Sequence, residues 1–405
     1  MPELKKPEIM TYAASKEEIS RAVSWGCTHI ILDDYAISIR SWSTPKEHDQ
    51  FESLCSLLRF CKEQHPSIHV SINCDGLIQT RDMALIESLV HCIKELPVDF
   101  IRVQDVGLIA YFNEHCSIPV TYCAEMGNAN WPSILAFSKQ CSRQNLSLDL
   151  PQSSILEIQD KVDTDYDIQV QGPVLIQYSH RRFLAGLSSD IDTPERIQQI
   201  HRIAEDDDYP GRRFTFLDNH HGHFMFAYFD RCLLMDIPEL CQCNCKGWII
   251  DARGESDNYL QTSLTAYSDA LEAYFSNPND YSSSRDIFNT LKACGQRPQK
   301  PGFFRANQTD RRRYKKISLI SEDRPKVGQV IDIIKGKRIS IYCSSSIKNT
   351  DTLEALHPKI KSCILPCTRM WTMDNKEITE AKSGDCIQIP WVKGIQQLSS
   401  LFLVN

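Results

Sequence analysis

The sequence predicts an α/β fold, a TIM-like (β/α)8 barrel carrying an inserted hairpin, followed by a small C-terminal β-barrel domain. Three observations predict it. Over the first 180 residues short β-type runs alternate with longer helical patterns, the signature of βαβ units around a parallel sheet. An eighth β-type run at residues 248–251 precedes a helical stretch at 259–274, and eight such units suit a closed barrel better than the competing open, doubly wound sheet. Beyond residue 315 the helical signal gives way to short β-type runs separated by turns, as in a small barrel.

Taken in order, strands are expected at 8–12, 29–32, 68–73, 100–103, 120–122, 146–150 and 167–170. The first helix has both ends marked: Ser15 followed by Glu18 forms a capping box, and Gly26 supplies the positive φ that turns the chain out of it. Residues 49–64 place Leu54, Leu57, Leu58 and Cys61 at helical spacing, and 80–95 and 132–140 continue the pattern. Between the seventh and eighth strands an insertion at about 185–245 holds a helical stretch at 193–205 and a hairpin, 214–217 with 223–228, turning at 219–222.

These elements divide the chain into a barrel domain at 1–276, a polar linker at 277–315 and a β-rich domain at 316–405. Within the last, β-type runs lie at 327–334, 338–343, 362–366 and 386–390. A length of 405 residues holds a barrel and an appendage, and 42% hydrophobic with 24% charged residues is a globular balance that excludes a disordered chain.

No apolar stretch approaches the roughly 20 residues needed to cross a bilayer, and the N-terminus lacks the apolar core of an export signal. The expectation is a cytoplasmic protein whose 17 cysteines are reduced thiols rather than disulfides. Charge is uneven: residues 301–405 hold 18 Lys and Arg against 10 Asp and Glu, a net of +8, so a chain total of −7 leaves −15 for residues 1–300. An anionic partner such as RNA would meet the basic end first; a solvated, lysine-rich surface explains the excess equally well.

The segments PEIMTYAASKEEISRAVSWGCTHIIL, VSINCDGLI, VDFIRVQDVGLI, GPVLIQYSHRRFL, FAYFDRCLLMDIPEL and WIIDARGESDNYL come in an order and spacing that resembles the collagenase-like peptidase family of unknown catalytic type. The resemblance extends to a tail bearing a Gly-Asp motif at Gly384-Asp385. It implies the barrel fold and leaves the reaction open, since members of that family include proteins supporting hydroxylation of tRNA, of ribosomal RNA and of ubiquinone precursors. The hydroxylating members use four cysteines for an iron-sulfur cluster, with prephenate implicated as oxygen donor.

Departures from that pattern bear on chemistry. Leu175 and Arg182 stand where the hydroxylating relatives have cluster cysteines, and neither supplies a thiolate, so the family's cluster is not expected here. Gln171 and Gln152 replace a His and a Glu, exchanging two titratable groups for amides that hold no exchangeable charge near neutral pH. What the resemblance keeps is a set of positions at the ends of barrel strands. Asp105, Asp251, Arg253 and Gln171 are the expected catalytic positions, and Asn73, Glu125, Asn130, Ser179 and Arg253 the expected substrate contacts. An Arg at such a rim can grip a small anionic metabolite through two parallel hydrogen bonds. The plain alternative is that Asp105 caps a helix and that Asp251 pairs with Arg253.

Other clusters have two readings each. Cys241, Cys243 and Cys245, with Cys232 nine residues before the first, are weak metal-ligand candidates, because C-x-C spacing is unlike that of structural zinc sites. His220, His221 and His223 suit a metal or simply an exposed hairpin turn. Arg311, Arg312, Arg313, Lys315 and Lys316, with Phe303 and Phe304 nearby, form the expected RNA contact, or else a solvated linker.

Neither an H-E-x-x-H zinc helix nor a G-x-S-x-G elbow is present, so proteolysis ranks third as a function. A hydroxylation-type RNA-modification factor ranks first. Second comes a catalytically degenerate binding subunit that works with a related partner subunit.

Overall fold

A computed structural model describes residues 5–40, 51–124, 127–184, 199–205, 211–305, 326–357 and 360–404. It divides into two compact units, residues 1–306 and 307–405.

The first unit is built on strands β1 (Glu8–Ala13), β2 (His29–Asp33), β3 (His69–Cys74), β4 (Phe100–Val103), β5 (Val120–Tyr122), β6 (Arg143–Asn145) and β7 (Asp165–Ser179). After them come β8 (Ile200–Glu205), β9 (Arg213–Asn219), β10 (Gly222–Cys232), β11 (Gly247–Ile250) and β12 (Gln299–Lys300). Each of β1 to β6 pairs in parallel with the next, and β11 pairs in parallel with both β7 and β1, which closes an eight-stranded barrel. The open-sheet alternative is thereby excluded.

Helices α1 (Lys16–Ser24), α2 (Glu52–Gln64), α3 (Met83–Ile93), α4 (Val106–His115), α5 (Trp131–Phe137), α6 (Gln152–Lys161), α7 (Ile237–Gln242) and α8 (Asp257–Ser276) lie in sequence between or after the barrel strands. Outward strand residues such as Ile30, Val70, Ile72, Ile101, Ile168 and Trp248 form one apolar core with Ile19, Leu58, Ile86, Phe112, Leu264 and Tyr267 of the helices. Full burial of each such aliphatic side chain contributes about 1.5–3 kcal/mol. The α1 capping box forms with one residue of slippage: Ser15 accepts from the Glu18 amide at 3.1 Å, while the Glu18 carboxylate takes the amide of Ala14 at 2.7 Å. Gly26 has φ +95, and a Cβ there would lie 2.4 Å from Ser268 Oγ.

Strand β6 is a correction to the expected strand at 146–150. Leu146, Leu148 and Leu150 alternate like a strand, but the paired residues are the polar Arg143, Gln144 and Asn145, because that part of the lumen is ionic. Residues 200–205 form β8, antiparallel to β9, where a helix was expected; the rest of the expected helix lies outside the described residues. Strand β7 runs 15 residues, serving the barrel with its first half and pairing with β10 through its second. Gly172, with φ +120, sits at that change of role, and a Cβ would come 2.1 Å from the Asp251 carbonyl oxygen. The stretch read as a linker contains helix α9 (Arg285–Cys294), packed against α8, together with β12.

The second unit is an eight-stranded antiparallel sheet whose centre is formed by Ser400–Leu403, Lys326–Ile334, Arg338–Cys343 and Cys386–Pro390. Val327, Val330, Ile339, Ile341, Leu353, Ile387 and Leu401 form its core. All four β-type runs read from the sequence in this region coincide with strands. Among the described residues no helix is long and apolar enough to cross a membrane.

Candidate active site in the barrel lumen

Because alternate strand residues face opposite sides, each barrel strand sends one set of side chains into the lumen. Here that set is unusually polar. At the N-terminal end, Glu8 accepts from His29 Nδ1 at 2.9 Å, from His69 Nδ1 at 2.9 Å and from Arg143 Nη1 at 2.8 Å, while Arg143 Nε donates to Asp167 at 2.6 Å. Burial pushes the Glu8 carboxyl up, but His29 and Arg143 together hold it well below the usual carboxylate range. Burial also lowers the His29 pKa, so this imidazole is neutral near pH 7. Glu8, His29 and His69 are close enough to share a cation, yet Arg143 already faces the carboxylate and both imidazoles are hydrogen-bonded to it. This end of a barrel carries stability rather than chemistry.

At the C-terminal end the groups converge on Arg253. Its Nε and Nη2 grip the Asp251 carboxylate at 2.9 and 2.8 Å, its Nη1 reaches Asp33 at 3.1 Å, and its guanidinium carbon lies 3.5 Å from the centre of the Tyr12 ring. Arg40 adds a second contact to Asp251 at 3.1 Å, and Asn73 donates to Asp33 at 2.8 Å. Burial raises the Asp251 carboxyl, but Arg253 and Arg40 outweigh it and hold the group well below its ordinary pKa. Asp33 goes the other way: burial pushes it up to about 6 despite Arg253.

The sign of the Asp33 effect gives a pH prediction. A carboxyl whose folded pKa lies above its unfolded value disfavours the ionised fold, so the cost is absent below the unfolded value and complete above about pH 6. Asp33→Asn is therefore expected to raise stability at pH 7 to 8, with the gain disappearing toward pH 4. Denaturant midpoints measured across that range check it, and a gain that grows on acidification would contradict it.

Two cavities open at this end. One of about 30 Å³ is lined by Tyr12, Asp75, Arg102, Cys123, Asn145 and Gln169, among others. That volume holds roughly two waters or one carboxylate group. Arg102 is 1% exposed, and its Nε and Nη1 make no hydrogen bond; Asp167 approaches Nη1 only to 3.9 Å. The second cavity, about 150 Å³, is lined by Tyr12, Asp33, Arg253 and Glu255. Burial raises Glu255 to about 7, and Arg297 holds one of its oxygens at 3.0 Å. The C-terminal end thus offers a buried cation with unused donors in one cavity and, in a second cavity that shares Tyr12 with the first, a carboxyl able to exchange a proton near neutral pH.

Asn73, Asp251 and Arg253 come together as the strand ends suggested, but Arg253 is saturated by Asp251 and Asp33 and has no fork left for a ligand. Asp105 does not join them: it caps α4, accepting from Gly107 and Leu108, and also receives the Ile78 amide. Gln171 points out of the barrel to Tyr259 of α8 and to Gln299, at 2.5 and 2.6 Å, because a bulge in the β7–β11 pairing shifts the alternation. Asn130 caps α5 through Ser133, and Ser179 lies at the far end of β7 opposite His223. Gln152 opens α6 and donates to Glu239 and Gln242. Glu125 and the basic run Arg311, Arg312, Arg313, Lys315 and Lys316 lie outside the described residues. Of the aromatics near that run, Phe304 is 2% exposed and cannot stack on a base.

The cysteine and histidine clusters take their plain reading. Cys241 lies in α7 rather than on a strand, so the three thiols do not share a face. Burial pushes Cys241 and Cys243 up to about 12, Cys245 well above its ordinary value and Cys232 up to about 11, all unfavourable for metal-binding thiolates. His223 is buried against Asp218 at 2.5 Å and His221 reaches the Tyr35 carbonyl at 3.2 Å, so the hairpin imidazoles are not simply exposed. The two positions implied as cluster ligands do not fit an iron-sulfur group: Leu175 packs among Ile39, Leu217, Phe224 and Phe226, and Arg182 is a cation.

The sequence reading missed Arg102, Asp33, Arg40, Tyr12, Cys123 and Glu255. A signal for the first two existed. A lone Arg inside FIRV and an Asp closing HIILD are charges within apolar strands, which are costly unless paired or used.

Residues 15–314 match the model of peptidase family U32. Two curated relatives are tRNA hydroxylation protein P1 of Bacillus subtilis (strain 168), 20% identical over 93% of this chain and 90% of its own length, and tRNA hydroxylation protein P2 of the same organism, 19% identical over 70% and 91%. Among solved structures, the U32 peptidase Mk0906 is 13% identical, covers 48% of this chain and 86% of its own, and superposes with a TM-score of 0.35.

Proposed function

The chain belongs to peptidase family U32, and from that membership we propose that it serves RNA modification of the hydroxylation type, holding a small carboxylate in the barrel lumen. The observation that carries the ligand class is Arg102, a buried guanidinium whose Nε and Nη1 donors are unused beside a carboxylate-sized cavity. Support for the reaction class comes from the two tRNA hydroxylation relatives. A target base would have to leave its stack to reach the mouth. Glu255, with a pKa of about 7, is the group able to give or take a proton there, and the Asp33–Arg253–Asp251 set fixes the rim beside it. Mass spectrometry of nucleosides from a deletion strain tests this reading: one modified nucleoside should vanish, return with the wild-type gene and stay absent with Arg102→Gln. An unchanged nucleoside set removes it.

Leu175 and Arg182 at the implied ligand positions favour a second reading, a subunit that binds substrate while a related chain performs the redox step. Co-expression with a relative that keeps the cysteines separates the two. Under the second reading, activity requires both chains and survives loss of Glu255 in this one.

A further inference from the structure

Among the lumen side chains one nucleophile has no role in the reading above. Cys123 follows β5, and its amide donates to the Val103 carbonyl at 2.9 Å, which locks it beside the end of β4. Arg102 on β4 is paired with Thr121 on β5, so Cys123 stands two residues further along on the same inward face. Both residues line the 30 Å³ cavity. Cys123 is 5% exposed and belongs to none of the apolar clusters, unlike the outward-facing Tyr122 and Ala124 that flank it. A thiol near a guanidinium with unused donors is where a thiolate is stabilised, and the small volume admits one carboxylate group.

We propose that Cys123 is a nucleophilic site for short carboxylates that carry an electrophilic carbon next to the carboxylate group. The carboxylate lies on Arg102, which sets that carbon before the Cys123 sulfur. The thiol gives its proton to water and its sulfur lone pair forms the new carbon–sulfur bond. The bond to the leaving group breaks at the same carbon, and the leaving group departs with those electrons. No oxidant or reductant is needed. This inference rests on the lumen binding carboxylates, as proposed above.

Iodoacetate and iodoacetamide distinguish this arrangement from an inert core thiol, since they deliver the same carbon with and without a negative charge. Labelling is read by peptide mass spectrometry, with the exposed Cys386 as internal reference. At Cys123 iodoacetate should react roughly tenfold faster than iodoacetamide, because a fixed guanidinium concentrates the anion, whereas Cys386 should show no such preference. Millimolar acetate should protect Cys123 from iodoacetate and leave Cys386 unaffected. Arg102→Gln should abolish the preference, and Arg102→Lys should restore part of it. The acetate competition on the wild-type protein keeps the test decisive even if a variant misfolds. Equal reactivity toward both reagents, or a preference that survives Arg102→Gln in a folded protein, overturns the proposal. If acetate raises the melting temperature through Arg102 while Cys123 stays unlabelled, only the nucleophile is lost; if acetate has no effect, the carboxylate reading fails with it.

Discussion

Arg102→Gln is expected to abolish carboxylate binding in the lumen without lowering the melting temperature. The two halves of this expectation have the same origin. Burial pulls the Arg102 pKa down, but the groups around it, Asp167 among them, outweigh burial, and a guanidinium stays charged at neutral pH. The folded chain therefore carries a buried cation with two unused donor nitrogens, and each unsatisfied buried donor costs about 1–3 kcal/mol. Removing the charge relieves that cost. Asp167 is not orphaned, because Arg143 still holds it at 2.6 Å. A bound carboxylate loses two charge-assisted hydrogen bonds worth about 1.5–3 kcal/mol each, so affinity should fall by roughly 100- to 10,000-fold. Thermal shift and titration calorimetry with acetate, pyruvate and larger carboxylates measure both halves. A variant that melts several degrees lower and binds as before would show that Arg102 is a structural cation.

The opposite outcome is expected at the rim. Asp251→Asn removes the carboxylate that neutralises both Arg253 and Arg40, two side chains 6% and 5% exposed. Leaving such cations without their counter-charge costs about 3–5 kcal/mol. Asp33 already accepts from Arg253 Nη1 at 3.1 Å, so it is not a spare counter-charge for the nitrogens that Asp251 held. The pH dependence has a definite sign. The folded pKa of Asp251 is depressed, so its stabilisation is present above the unfolded carboxylate pKa and is lost as pH falls below it. The gap between wild type and Asp251→Asn, followed by denaturant midpoints, should therefore be full at pH 7 and narrow on acidification. Adding Arg40→Met should recover part of the loss, since one of the two stranded charges is then gone. A single variant within about 1 kcal/mol of wild type at pH 7 would mean that the pair is solvated rather than buried.

Both expectations concern charges inside a barrel, and it is there that the sequence was hardest to read. The outward faces of the strands are apolar and announce themselves, as Ile30 with Leu32 and Val70 with Ile72 do. Inward faces filled with His29, Asn73, Arg102, Arg143 and Asp167 break the alternation that marks a strand. Strand β6 was misplaced onto Leu146, Leu148 and Leu150 for this reason, since its own residues are Arg143, Gln144 and Asn145. Of the rim residues, Asn73, Asp251 and Arg253 were legible because they close strands. Asp105 and Asn130 close strands or begin helices as well, and position alone could not separate a helix cap from a ligand contact. Gln171 was lost to a single bulge in the β7–β11 register, which turned it from the lumen toward Tyr259.

The sequence by itself determined seven of the eight parallel strands and their order, four of the strands in residues 326–404 and the resemblance to the collagenase-like peptidase family, because periodicity and motif order are local properties of the chain. Which charge meets which was decided only by closure of the barrel. Closure sets Arg253 against Asp33, 220 residues away in the chain, as well as Asp251, and leaves the Nε and Nη1 of Arg102 without a hydrogen bond. Coulomb energy depends on separation in space, and distance along the chain carries no record of it.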